Sequence, residues 1–97
     1  MITVTAPIWL WDEGKGRWHF LTIPPDSAVE IHLEHAATMP RRGFGSVRVE
    51  ATINQVAWRT SIFPHKDGGY ILPIKADVRK RAALAAGDEV TVSLDLL

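Results

Sequence analysis

Cysteine is absent from the 97-residue chain, which excludes disulfide bonds, thiol catalysis and cysteine-ligated zinc. Net charge is absent too, because eleven Lys and Arg residues balance eleven Asp and Glu residues. The whole molecule therefore has no basic field to attract nucleic acid, and any such site has to be a local patch. The lack of cysteine agrees with a reducing compartment, so we expect a cytoplasmic location.

Long apolar runs are also missing. No run approaches the roughly 20 residues that a membrane helix needs. The segment from Met1 to Thr5 has neither the basic start nor the apolar segment of a signal peptide. With 46% apolar and 23% charged residues, the composition is that of a globular protein. We expect one domain over residues 1–97, with a thin core.

The N-terminal quarter has the pattern of a β-hairpin. Residues 2–12 and 17–23 have strand composition, and the turn between them contains two glycines. A four-residue loop sets the register, which predicts an aromatic ladder on one face of the hairpin. The expected cross-strand pairs are Trp11 with Trp18 and Trp9 with Phe20 on that face, and Ile8 with Leu21 and Leu10 with His19 on the other.

The segment from Asp26 to about Thr38 favours a helix. Ser27 and Glu30 have the spacing of a capping box, and apolar residues recur at helical spacing. The same segment also alternates from Val29 to Leu33, which leaves a strand as the alternative. The apolar positions expected to face the core of a helix are Val29, Leu33 and Ala36.

Residues 47–53 and 56–62 alternate between apolar and polar and predict a second hairpin. A two-residue turn at Asn54–Gln55 places Glu50 opposite Arg59 on the polar face, so that charge and burial agree. Gln55 would then need a left-handed backbone, which glycine adopts more easily, so a longer turn is the alternative. The apolar pairs expected from the two-residue turn are Ile53 with Val56 and Ala51 with Trp58.

The last third of the chain has the pattern of turn, strand, helix and strand. Asp67–Gly69 predicts a turn into the strand 70–75, where Pro73 cannot donate a ladder hydrogen bond and so indicates a strand edge or end. A short helix is predicted from Asp77 to Gly87. The alternating apolar residues of the final strand are Val90, Val92, Leu94 and Leu96.

The predicted elements have the order ββαβββαβ. Six short strands bury their apolar faces most economically as a closed or nearly closed barrel, with a helix covering an opening. We therefore predict a mainly β fold with two short helices and a barrel of about six strands.

Three segments carry a resemblance to known proteins: Gly43–Val47, Trp58–Pro64 and Asp67–Val90. They resemble the DUF1905 family, a small bacterial barrel family of unknown function. This resemblance implies a six-stranded barrel with no assigned activity, which in some relatives lies beside a domain linked to bacteriocin protection. The C-terminal strand, helix and turn are also similar to AbrB-type regulators, which interleave two short chains into one barrel. This chain is long enough to close its own barrel.

The aromatic ladder is the main candidate for function. Our hypothesis is that at least one tryptophan lines a ligand or partner groove at the barrel mouth, where Arg59 holds an anionic or polar group. The alternative is that a helix covers the rings and makes them core. We favour a non-catalytic module that binds a small molecule or a protein, as a monomer or weak homodimer. The candidate ligand-binding residues are Trp9, Trp11, Trp18, Phe20 and Arg59.

A DNA-binding regulator that acts as a dimer is the second interpretation. Basic residues are expected to converge with Arg59 near the start of the third strand, and Arg79–Arg81 form another cluster. The zero net charge argues against this interpretation. The candidate nucleic-acid-binding residues are Arg41, Arg42, Arg48 and Lys66.

A metal-dependent or hydrolytic enzyme is the third interpretation. His32 and His35 lie three residues apart on the predicted helix, a spacing that is common by chance and is not the zincin pattern. Ser61, His65 and Asp67 are close in sequence, but nothing marks a base oriented by a third group. We expect no catalytic residues, no metal site and no cofactor.

Overall fold

The structure is a computed structural model that describes residues 1–12, 14, 16–38 and 45–97; within 32–38 it describes only the side chain of Leu33. Eight elements occur in these ranges. They are β1 (Ile2–Asp12), β2 (Arg17–Ile23), α1 (Pro25–Thr38), β3 (Val47–Ile53), β4 (Val56–Pro64), β5 (Tyr70–Pro73), α2 (Ala76–Ala82) and β6 (Glu89–Leu96).

The six strands form a closed antiparallel barrel in the order β1-β2-β5-β4-β3-β6. The long β1 makes closure possible, because its first half pairs with β6 and its second half with β2. The predicted element order and the six-stranded barrel with two short helices are confirmed. The chain closes the barrel with its own strands, unlike the interleaved regulators.

The register of the first hairpin is confirmed at all four predicted pairs. Ile8 and Leu21 point into the barrel and are fully buried. Since successive strand residues face opposite sides, the aromatic ladder lies on the outer surface of the barrel. Trp11 remains 42% exposed and Trp18 remains 55% exposed, so these rings are not core.

The second hairpin also has the predicted register, with Glu50 opposite Arg59. Asn54 and Gln55 have φ angles of 49° and 68°, so both are left-handed as a two-residue hairpin turn requires. The longer turn is therefore wrong. The side-chain amide of Asn54 donates to the carbonyl oxygen of Ala82 at 3.0 Å, which ties this turn to α2.

Helix α1 is confirmed, but its predicted apolar face is wrong. Val29 and Leu33 are 59% and 68% exposed, whereas Ala28 and Ile31 are buried against the barrel. Apolar spacing alone contained both stripes, and packing selected the one that begins at Ala28. The helix begins with proline at its first position, so Ser27 lies inside the first turn and is not the N-cap.

Helix α2 ends earlier than predicted. Its last residue is Ala82, and the left-handed cap is Ala83 with a φ angle of 58°. Gly87 instead lies in the following turn, where its amide donates to the carbonyl oxygen of Ile8 at 2.7 Å. Gly87 is a favourable C-cap residue, but it lies beyond the end of α2. It provides the left-handed backbone of the turn that contacts β1.

The core fills the barrel interior with aliphatic side chains from all six strands, and Val78 of α2 is also fully buried. Gly69 is required where β5 begins, because a Cβ there would overlap the carbonyl oxygen of Ile23. In the described ranges, no helix is long and apolar enough to cross a membrane.

Candidate functional site

The barrel wall is interrupted between β2 and β4. β5 pairs with β2 along its whole length, whereas its pairing with β4 ends at Ile71, opposite Phe63. The amide of Ile74 donates to the carbonyl oxygen of His19 in β2 at 2.9 Å. Backbone groups of successive strand residues point to opposite neighbours, so the nitrogen of Pro73 points toward β4 and has no hydrogen to donate. Proline therefore ends the ladder and leaves a gap beyond it.

β4 has a free backbone edge along this gap. The two-residue turn pairs the backbone groups of its even-numbered residues with β3. The odd-numbered residues face the other way, as the hydrogen bond of 2.8 Å from the His65 amide to the Gly69 carbonyl shows. Within the part of the chain that the structure describes, two residues on this edge have no partner strand: Ala57 and Arg59.

A cavity of about 300 Å³ lies in the gap. It is lined by residues 17–19 of β2, residues 58–60 of β4, the link 73–76 and Arg79 of α2. Arg79 holds the link in place, because its guanidinium donates to the carbonyl oxygen of Ile74 at 2.8 Å. Buried Val78 fixes α2 against the barrel on the same helix. The elements that line the cavity are therefore held in place by the rest of the fold.

The cavity lining is positively charged. Among the described residues, four cationic side chains and no carboxylate contribute to it: Arg17, Arg59, Lys75 and Arg79. Arg17 has a neighbour outside the lining, since its Nε lies 3.3 Å from a carboxylate oxygen of Asp12. Glu50 lies opposite Arg59 on β3, yet the described residues provide no ion pair for the Arg59 guanidinium. The site therefore presents an excess of positive charge to a ligand.

His19 contributes a neutral polar group to this cavity. Its Nδ1 is buried and has no hydrogen-bond partner among the described residues. Burial lowers the pKa of His19, and the charges of Arg79 and Arg17 lower it further. The imidazole is thus kept in its neutral form, which can accept or donate one hydrogen bond to a ligand.

Two indoles lie on opposite sides of the gap. Trp18 of β2 is mostly exposed, whereas Trp58 of β4 points inward and is only 6% exposed. Trp18 is supported from behind by Phe20, whose ring is nearly parallel to it with centroids 6.5 Å apart. The arrangement offers one fixed apolar surface and one accessible ring to a planar group.

A protein-family model described as Domain of unknown function (DUF1905) matches residues 5–94 of the chain. The chain belongs to the DUF1905 family. The match covers four strands in full, most of β1 and β6, and every residue that lines the cavity. No curated protein matches the chain. The family description assigns no activity, so the function of this domain has to be argued from its own residues.

The cavity of this DUF1905 domain contains two of the five predicted ligand-binding residues, Trp18 and Arg59. The other three, Trp9, Trp11 and Phe20, lie on the outer surface and do not line it. The Trp9 indole donates to the hydroxyl of Thr22 at 2.8 Å, and its ring packs against Phe20 with centroids 5.0 Å apart. Most of the ladder therefore supports Trp18.

Six polar or aromatic residues of the cavity were not among the predicted site residues: Arg17, His19, Trp58, Thr60, Lys75 and Arg79. Trp58 was assigned to the core, which is correct but incomplete, since its ring also borders the cavity. Arg79 was placed in a separate cluster on α2. Pro73 was the available signal, because a proline that ends one ladder predicts a gap beside it.

The structure describes two of the four predicted nucleic-acid-binding residues, Arg48 and Lys66, so their grouping stays a prediction. The guanidinium of Arg48 lies on the outside of β3, where Nη1 donates to the hydroxyl of Ser61 at 3.4 Å. Lys66 lies in the turn at the other end of β4 from the cavity. Arg41 and Arg42 lie outside the described residues. Arg59 and Arg79, predicted in separate clusters, line the same cavity instead.

The residues considered for catalysis form a turn. Nδ1 of His65 lies 3.2 Å from Oδ1 of Asp67, and that oxygen accepts a hydrogen bond from the Gly69 amide at 2.8 Å. The Gly69 amide is the main cause of a lowered Asp67 pKa, with His65 adding to it. Ser61 contacts Arg48 and not His65. The side chains of His32 and His35 lie outside the described residues, and the remaining described residues form no metal-ligating group.

Proposed function

We propose that this DUF1905 domain is a binding module that holds a small organic anion with a flat apolar group in the cavity between β2 and β4. The observation that carries the proposal is that the described lining combines four cationic side chains and two indoles and contains no carboxylate. No catalytic step is part of the proposal.

Charge favours an anionic ligand. Arg59 has a guanidinium with no ion pair among the described residues, and a guanidinium matches a carboxylate or phosphate with two parallel hydrogen bonds. Arg79 uses one nitrogen to hold Ile74 and has other donors left. Lys75 adds a mobile charge at the rim. A charged hydrogen bond of this kind contributes about 1.5 to 3 kcal/mol.

The indoles favour a ligand with a planar apolar part. Trp58 is held by the core, so its orientation is set before a ligand arrives. Trp18 is accessible and is supported by Phe20, so a ring can stack on it without reorganisation of the wall. A volume of about 300 Å³ is at the lower end for ligand pockets, which selects small ligands.

Isothermal titration calorimetry with three probes tests the proposal. Phenyl phosphate and benzoate combine a ring with an anionic group, and benzyl alcohol is the neutral control. We expect both anions to bind and benzyl alcohol to bind at least about tenfold more weakly, which corresponds to roughly 1.4 kcal/mol. Equal binding of all three probes, or of none, would contradict the proposal.

Matched variants place the binding in the cavity. Arg59→Gln should weaken phenyl phosphate binding about tenfold or more, whereas Arg48→Gln removes the same charge from the outside of the same hairpin and should change little. Trp18→Leu should weaken phenyl phosphate binding more than Trp11→Leu does. Trp11 is the exposed tryptophan directly opposite Trp18 on β1. If the control variants lose binding as strongly, the anion binds elsewhere.

A further inference from the structure

We infer that the anion this cavity takes is the C-terminal carboxylate of an extended peptide, whose last residues pair with the free edge of β4. The inference rests on the proposed function and adds the chemical class of ligand. The reason for naming a peptide is the free backbone edge of β4, to which a small anion would not bind.

The free edge supplies the backbone hydrogen bonds. Ala57 and Arg59 direct their amide and carbonyl groups into the gap, and within the described ranges these groups have no partner strand. An exposed row of this kind is a template for an added strand, and peptide recognition by strand addition uses such an edge. A small anion would leave most of the edge unpaired.

β5 lies between β2 and β4, so two strand spacings of about 4.8 Å each separate those strands where β5 pairs with both. Ile74 still bonds to His19 of β2, so the gap begins beyond Ile74. A peptide that continues the line of β5 past Ile74 would lie at about the pairing distance from β4. The link 73–76 and α2 close the gap, and the cavity is small, so a chain end fits better than a strand that passes through.

The cations select the carboxyl end of the peptide. An N-terminal ammonium would meet the charges of Arg59, Lys75 and Arg79 with no carboxylate in the lining to offset them. A terminal carboxylate meets donors that suit it. The last side chain of the peptide would pack on Trp18 at the outer face or on Trp58 at the inner face, so an apolar or aromatic last residue is expected.

Calorimetry with one peptide in three forms tests the inference. The probe is an acetylated tetrapeptide that ends in phenylalanine, made with a free C-terminal carboxylate, with a C-terminal amide, and with a free carboxylate but N-methyl groups on its last two peptide bonds. We expect the amide form and the N-methylated form each to bind at least about tenfold more weakly than the free carboxylate form. Arg59→Gln should weaken the free carboxylate form, and Arg48→Gln should not.

Amide hydrogen exchange by NMR gives a second readout on the intact protein. In the free protein the amides of Ala57 and Arg59 should exchange faster than those of Trp58 and Thr60, which pair with β3. The free carboxylate peptide should slow the two edge amides at least about tenfold. Phenyl phosphate should bind without slowing them.

The outcomes separate this inference from the proposed function. If phenyl phosphate binds but the N-methylated peptide binds as well as its parent, or the edge amides stay unprotected, strand addition is wrong and the small-anion site stands. If neither phenyl phosphate nor the peptide binds, both are wrong. Peptide binding that ignores the terminal carboxylate would also overturn the inference.

Discussion

The two walls that meet at β4 differ in how completely their backbones are paired. β4 pairs with β3 from Val56 at the turn to Ile62 near its end. On its other side it pairs with β5 only over its last two residues, within the described chain. One strand therefore has a continuous wall on one side and an interrupted wall on the other.

This difference shows which wall of the barrel has groups that are available to bind a ligand. Along the continuous wall every backbone group has a partner, and the inward side chains of β3 are buried aliphatic residues. Along the interrupted wall the free edge, four cations and a buried imidazole atom without a partner lie together. Pro73 accounts for the difference between the two walls, because it has no amide hydrogen to donate at the position that faces β4.

Replacement of Trp58 should give the largest effect on stability. Trp58 is buried beneath the gap, so Trp58→Ala removes core contacts and enlarges the cavity. We expect a loss of about 4 kcal/mol in the free energy of unfolding. Trp18→Ala, across the cavity, is the control and should lose less than about 1 kcal/mol, because its ring is mostly exposed. Urea denaturation measures both, and similar losses would show that the two indoles are equally core.

Gly69 tests how closely the short strand β5 depends on the end of β2. Gly69→Ala places a methyl group against the carbonyl oxygen of Ile23, so the backbone must shift. We expect a loss of about 3 kcal/mol. Gly14→Ala is the matched control: its added methyl meets nothing, and its φ angle of 84° costs only about 1 kcal/mol. A Gly69→Ala variant as stable as the wild type would show that this wall is looser than the structure indicates.

The smallest expected effect is a dependence on pH through His19. Its pKa is lowered in the folded state, so the unfolded chain binds a proton more readily. The free energy of unfolding should therefore fall as the pH drops below the ordinary value of 6.5 toward the lowered one. A bound anion offsets the charges of Arg79 and Arg17, so its affinity should rise over the same window.

Urea denaturation and benzoate titration, each at pH 7.5 and 5.5, check these two signs, because benzoate keeps its charge over this window. His19→Gln should reduce the pH dependence of both, and His65→Gln, in the turn after β4, should leave the anion affinity unchanged. An anion affinity that falls on acidification in the wild type would remove His19 from the site.

Much of the fold could be predicted because its signals are local. Alternation and short turns set both hairpin registers, and the turn at Asn54–Gln55 holds even though Gln55 is a poor residue for it. The errors arose where two local patterns competed. α1 contains two apolar stripes, and only contact with the barrel selects Ala28 and Ile31.

The cavity could be predicted only in part. Trp18 and Arg59 were identified because each has a local neighbour that marks it, an aromatic across the strand in one case and Glu50 in the other. Arg79 and Lys75 are far from both in the sequence and reach the cavity only when α2 closes the end of the barrel. No local pattern contains that information.

The amino-acid sequence alone determined the element order, the hairpin registers and the closed six-stranded barrel, because alternation and turn chemistry act between neighbouring residues. The tertiary structure alone decided which face of each element is used and which side chains share the cavity. Strand order in the barrel sets those contacts, since it brings β2 and β4 to the two sides of β5. Because the ladder between β4 and β5 stops at Pro73, a cavity forms between β2 and β4.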